Sequence, residues 1–316
     1  MNIDPIPAAA VSRIPPRLHR MCDDESMFPP AGLSVAEALT SHLEHARSDH
    51  RRILGPLLVP ARDLDELARL AEHPVQPSLW FAVAVPSPTE LGDAMSRAIA
   101  IPGARFAGAE VGIPDSMAPE DVVPALAAGF ERTGIDFTEV YVEVPWDERR
   151  TAVLDALADS DFDAKFRIGG HPDPDVHVHT PLVPATDDLQ ITDTQLADTV
   201  IAAVSRHLPF MVSGAAHRAV RCTEKGTGRE LHGFLNLFLA VDTARQGVDS
   251  DDGGVRDQVI ATLADRDGPS VARRFRTLSP ERALAARSSF TSLGIHSILD
   301  PLNELIELGL VAPSND

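Results

Sequence analysis

Of the 28 basic side chains in this sequence of 316 residues, only Lys165 and Lys225 are lysines. Arginine carries a permanent charge and makes most ion pairs, but it cannot act as an amine nucleophile. A chain so sparing with lysine gives weight to the one in "DAKFRIGG" (163–170), which sits in an apolar run two residues before Arg167. An amine there is expected to be partly desolvated and to lie near a like charge. Both effects lower its pKa toward the neutral form that a Schiff base with a carbonyl substrate requires. Two other roles fit the same residues: holding an anion jointly with Arg167, or ion-pairing with Glu143. Gly169 and Gly170 follow directly and would let backbone N–H groups approach a phosphate or carboxylate. Lys225, in the polar "CTEKGTG", calls for no such role.

Glu110 and Glu143 each stand near the end of an apolar run, just before a short loop that leads into a helical segment. Carboxylates so placed can serve as general acid or base, orient a lysine, or bind a metal ion. His217, in "SGAAHRAVR" (213–221), occupies the same kind of position and could shuttle a proton, with Arg218 and Arg221 as an anion clamp. His232 and Asn236, in "LHGFLNLFLA", are four apart and share one helical face. They could reach a substrate, but a buried polar pair holding a loop suits them better. In "HPDPDVHVH" (171–179), His171, His177 and His179 raise the alternative of a divalent metal, since H-x-H puts two imidazoles on one face of an extended segment. A solvated Pro-Asp loop is the simpler reading of that stretch, and no cofactor is otherwise expected.

These residues need elements to position them. From residue 53 onward, short β-type runs alternate with segments of helical periodicity. The runs cover 53–61, 79–86, 104–113, 139–145, 163–170, 209–217 and, more weakly, 290–298. Strands separated by helices pair in parallel, because a parallel neighbour needs a crossover of that length. The first run is not followed by a G-x-G-x-x-G turn, which counts against an open dinucleotide-binding sheet. The repeats continue for close to the roughly 250 residues of a closed (β/α)8 barrel, and ionisable residues recur at the C-terminal ends of the runs. The expectation is an α/β fold, a TIM-type (β/α)8 barrel over 51–316, with residues 1–50 as an N-terminal helical extension. That extension includes a helix near 34–48. The eighth strand is hardest to find; 270–278 is one location.

The composition bounds the partners. A net charge of −19 and a pI near 4.9 disfavour nucleic acid and anionic membrane, which attract basic surfaces. No apolar run of about 18 residues is present, and Cys22 and Cys222 lack metal-ligand spacing. The expectation is a cytoplasmic protein with reduced thiols and a small anionic metabolite as partner, whether monomer or homo-oligomer.

The strings "DDESMFPP" (23–30), "GPLLVP" (55–60), "VYVEVP" (140–145), "AKFRIGG" (164–170), "SGAAH" (213–217), "HGFLNLFLA" (232–240) and "LDPLNELIELGLV" (299–311) together resemble an uncharacterised bacterial protein family. Its motifs read DD-x3-FPP, K-x-R-x-GG and HGFLN. The resemblance spans nearly the whole chain and implies a TIM-type barrel with no established activity. It also adds Asp23 and Asp24 to the candidate site, as an acidic pair that could fold over the barrel mouth. Two functions follow from the residues. One is an enzyme of lyase, aldolase or isomerase type acting on a small anionic carbonyl or phosphorylated compound. In it Lys165, Glu143, Glu110 and His217 would be catalytic, and Arg167, Gly169, Gly170 and Arg218 would bind the anion. The other is a non-catalytic barrel that binds a metabolite in the same pocket.

Overall fold

The computed structural model describes residues 14–71, 78–134, 138–170, 189–214, 218–250 and 254–313. Eight parallel strands close into a barrel: β1 (Cys22–Asp24), β2 (Leu54–Pro60), β3 (Leu79–Val85), β4 (Ala104–Val111), β5 (Glu139–Glu143), β6 (Asp163–Arg167), β7 (Phe210–Ser213) and β8 (Phe290–Ile295). Each strand pairs with its neighbours in chain order, and β8 returns to β1. Helices lie between them, as a TIM-type (β/α)8 barrel requires. The seven longer strands fall within the apolar runs.

The eighth strand is the difference. Residues 268–277 form a helix, Gly268–Thr277, whose N-cap Asp267 accepts a hydrogen bond from the Ser270 backbone N–H. The missing strand is β1, in the segment expected to be a helical preface. Its Cys22 stands opposite Leu293 of β8 and Leu54 of β2. With three residues, two of them carboxylates, it offers no apolar periodicity to read. The helix expected near 34–48 is present as α1 (Val35–Arg47), opened by a capping box in which Ser34 and Glu37 satisfy each other's backbone N–H.

Alternation along each strand sorts the side chains. On β6, Ala164 and Phe166 face the helices and are fully buried. The Phe166 ring lies 5.3 Å from that of Phe210 on β7, which stacks at 5.8 Å on Phe290 of β8. Lys165 and Arg167 therefore turn into the barrel. Past the ends of β6 and β7 the chains approach closely. Gly214 has φ +97°, and a Cβ there would lie 1.8 Å from the Gly169 carbonyl oxygen, so only glycine fits. No helix among the described residues is long and apolar enough to cross a membrane.

Candidate active site

The strands deliver their charged residues to one level near the C-terminal mouth. Glu25 follows β1, Glu110 is the penultimate residue of β4, and Glu143 and Arg167 end β5 and β6. Lys165 lies at the centre and is only 2% exposed. Its ammonium is hydrogen-bonded to Glu110 Oε2 and stands 3.6 Å from Glu143 Oε2 and 3.9 Å from Glu25 Oε1. Arg167 Nε donates to Glu143 Oε1 at 3.1 Å, and the Trp146 indole N–H donates to the Arg167 carbonyl at 2.8 Å, fixing the strand end. The barrel backbone makes room for the carboxylates: a Cβ at Gly294 of β8 would collide with Glu25 Oε1 at 1.9 Å.

This geometry corrects the expected chemistry of Lys165. Burial alone would lower its pKa, but Glu110, Glu25 and Glu143 outweigh it and raise the value above that of an ordinary lysine. The ammonium is thus held protonated, the opposite of what a waiting Schiff-base nucleophile needs. Arg167, the neighbour visible in sequence, counts for less than three carboxylates from strands remote in sequence. Glu110 is displaced the other way. Burial, opposed by Lys165 and aided by Glu25, pushes its carboxyl up to about 7. Burial likewise raises Glu25. Its Oε1 is buried without a hydrogen-bond partner among the described residues.

The other sequence candidates are distributed unevenly. Asp23 faces the barrel interior, where Ser292 Oγ donates to its Oδ2 at 2.5 Å. Asp24 points the opposite way. It bonds His42 of α1 at 3.0 Å and accepts from the Ser26 N–H at 3.1 Å, so it ties helix to strand and does not fold over the mouth. Burial would raise the Asp24 carboxyl, but His42 and Ser26 hold it below the usual range. Gly169 and Gly170 pair with Gln190 and Leu189 in a short antiparallel ladder beside the mouth.

Arg218 and Arg221, expected as an anion clamp beside His217, are each engaged by a carboxylate away from Lys165. Arg218 is ion-paired with Glu304 on the last helix, Leu299–Glu307. Arg221 Nε lies 3.1 Å from Asp193 Oδ1. His232 Nε2 donates to the Ile191 carbonyl at 2.8 Å. Asn236 accepts from the Arg221 N–H and donates to the carbonyls of Thr262 and Asp265, so it pins loops together. His217, His171, His177 and His179 lie outside the described residues. Among the described residues, no three His, Cys, Asp or Glu side chains converge as metal ligands; Glu110 and Glu143 close on the Lys165 ammonium instead.

Sequence reasoning missed Glu25 and His296, whose Nδ1 lies 3.1 Å from the Glu25 carbonyl. A signal for Glu25 existed: on a strand, period two puts Asp23 and Glu25 on one face and Asp24 on the other. Comparisons with family models, curated proteins and solved structures find no match for this chain. Fold and site therefore define its class: a closed TIM-type barrel with a charged cluster at the C-terminal mouth.

Proposed function

We propose that the protein is a barrel enzyme, a lyase or isomerase, that moves a proton on a small anionic carbonyl or phosphorylated compound at the C-terminal mouth. The observation that carries this reading is the contact between Lys165 and Glu110. A carboxyl brought to about 7 is matched to general acid–base work at neutral pH. The charged ammonium beside it can stabilise the negative charge that develops on a carbonyl oxygen as the adjacent C–H is deprotonated. Glu110 takes that proton and the electron pair moves onto the oxygen. Where the deprotonated carbon carries a hydroxyl, passing that hydroxyl's proton to the enolate oxygen and returning the first proton to the former carbonyl carbon completes an isomerisation. Where a β-substituent can leave with its bonding electron pair as the carbonyl reforms, the result is an elimination. Arg167, steered by Glu143, holds the anionic end of the substrate. Because Lys165 stays protonated, the chemistry runs without a Schiff base.

The test is deuterium exchange from solvent into pyruvate, oxaloacetate and dihydroxyacetone phosphate, followed by proton NMR. Exchange by the wild type that drops about 10²- to 10⁴-fold in Glu110→Gln, the usual worth of a general acid–base group, supports the reading. No exchange above the buffer rate with any of the three sinks it. The near-complete burial of Lys165 among three carboxylates favours one second reading, a metabolite-binding barrel without catalysis. A compound that raises Tm without exchanging its protons would mark that function.

A further inference from the structure

Below the Lys165–Glu110 pair the barrel is not filled. Barrels of this class usually pack that level with branched side chains, whereas β3 and β4 contribute Ala82 and Gly108. They line a cavity of about 220 Å³. The cavity opens at the N-terminal face, between Arg20 before β1 and Trp80 and Glu139 at the starts of β3 and β5, and it reaches up to Asp23 and Glu110.

Its inner end carries unused acceptors. Asp23 and Glu110 are 6% and 4% exposed. Asp23 Oδ2 accepts from Ser292 and Glu110 Oε2 from Lys165. The second oxygen of each carboxyl has no hydrogen-bond partner among the described residues. The nearby arginines are engaged elsewhere. Arg287 donates to the backbone carbonyls of His19, Arg20, Phe290 and Thr291. Arg20 lies with its guanidinium 4.1 Å from the Trp80 ring centroid, which shows that this aromatic face accepts such a group. Burial drives the Asp23 carboxyl well above its ordinary range, and Glu110 and Glu25 add to the rise. Arg20, Arg287 and Glu139 also line the cavity, and neither arginine donates a hydrogen bond to Asp23 or Glu110 among the described residues.

We propose that this N-terminal cavity is a binding site for a small organic cation, an alkylammonium or guanidinium. Its N–H groups donate to Asp23 Oδ1 and Glu110 Oε1, and its carbon frame lies against Leu58, Trp80 and Tyr141. Since a cavity of about 150 Å³ holds benzene, the ligand has up to about eight heavy atoms. The site opens at the face opposite the mouth and meets the mouth cluster at Glu110; cation binding there is tested on its own, whether or not the mouth is catalytic.

The two lysines make the test direct. In protein labelled with ¹³C,¹⁵N-lysine, Lys165 reports on Glu110 and Lys225 is the internal control. Methylguanidinium and ethylammonium chlorides are the probes, sodium chloride the ionic-strength control and sodium acetate the anion probe. A saturable shift of Lys165, with Lys225 unmoved, is expected from the two cations alone. Ala82→Leu fills the cavity and abolishes the shift. Should that variant not fold, Asp23→Asn serves in its place and weakens binding about tenfold or more, as for loss of a charge-assisted hydrogen bond. Arg20→Ala, at an exposed position, frees the Trp80 face and tightens binding about two- to fivefold, the worth of an exposed cation–π contact. The proposal is overturned if Lys165 responds equally to sodium chloride, responds only to acetate, or does not respond at all. A shift that survives in folded Ala82→Leu also overturns it.

Discussion

The Lys165 cluster inside the barrel and the Arg221 cluster beside it use the same kinds of side chain on opposite plans. Around Arg221 the anchors are largely backbone: Asn236 makes three bonds to main-chain groups and His232 one. Around Lys165 the partners are side chains, and three carboxylates surround one ammonium. A cluster tied to main chain fixes the path of loops. One made of competing side-chain charges keeps groups whose protonation can change, and such perturbed groups mark functional sites more often than structural ones.

The two plans also respond to pH in opposite directions. Burial is the main reason that Glu110 is raised from 4.5 to about 7, and that Asp163 lower on β6 is raised from 3.8 to about 7, with Glu139 adding to it. A raised carboxyl contributes stability that is complete below its unfolded value and is lost as pH climbs through the folded one. Asp193 is lowered, first by His232, whose Nδ1 lies 3.3 Å from its Oδ1, and then by Arg221. Its contribution is present above 3.8 and is lost as pH falls.

The largest expected effect comes from removing the interior cation. Lys165→Met leaves buried carboxylates without their counter-charge, and urea unfolding at pH 8 is expected to show a loss of about 3–5 kcal/mol. Adding Glu110→Gln to that variant recovers much of the loss. A single variant as stable as the wild type would mean that the carboxylates are already neutral there. Next comes Asn236→Ala, which strands a buried N–H and two carbonyls. It is expected to cost about 2–3 kcal/mol at every pH from 5 to 8, with no change in substrate proton exchange. An exchange defect in a folded Asn236→Ala protein would erase the distinction between the clusters. Smaller again is the pH slope. Wild-type Tm is expected to fall between pH 4.5 and 7 more steeply than that of Glu110→Gln; parallel curves would remove Glu110 as the source. The smallest effect belongs to an exposed ion pair, Arg256 with Asp198. Arg256→Ala is expected to leave the urea midpoint essentially unchanged, because solvent screens an exposed pair, and this sets the baseline for the other three.

The sequence made the barrel legible wherever a strand was long enough to show a run of apolar residues bounded by turn signals. It hid β1, because closure there rests on pairing with β2 and β8 and not on any pattern within Cys22–Asp24. Lys165, Glu110, Glu143 and Arg167 were identifiable as strand-end chemistry, and they do converge. Their electrostatics were not legible, because a pKa in the interior is set by neighbours across the barrel: Glu110 is 55 residues from Lys165, and Glu25 is further away still. The Arg218–Arg221 pair misled for the related reason that its acidic partners, Glu304 and Asp193, come from distant helices.

The pairing of β1 with β8 also bears on how the molecule assembles. Asp23 and the Ser292 that satisfies it are 269 residues apart in the chain, so this contact and the β1–β8 seam can form only once β8 is in place. Contacts of such separation form late, since the entropy of closing the loop must be met first. Without β8, β1 and β7 would each keep one edge unpaired. Glu25 is itself held to β8, its N–H donating to the Ile295 carbonyl at 2.7 Å, so the carboxylate wall beside Lys165 and the closure of the barrel depend on the same seam.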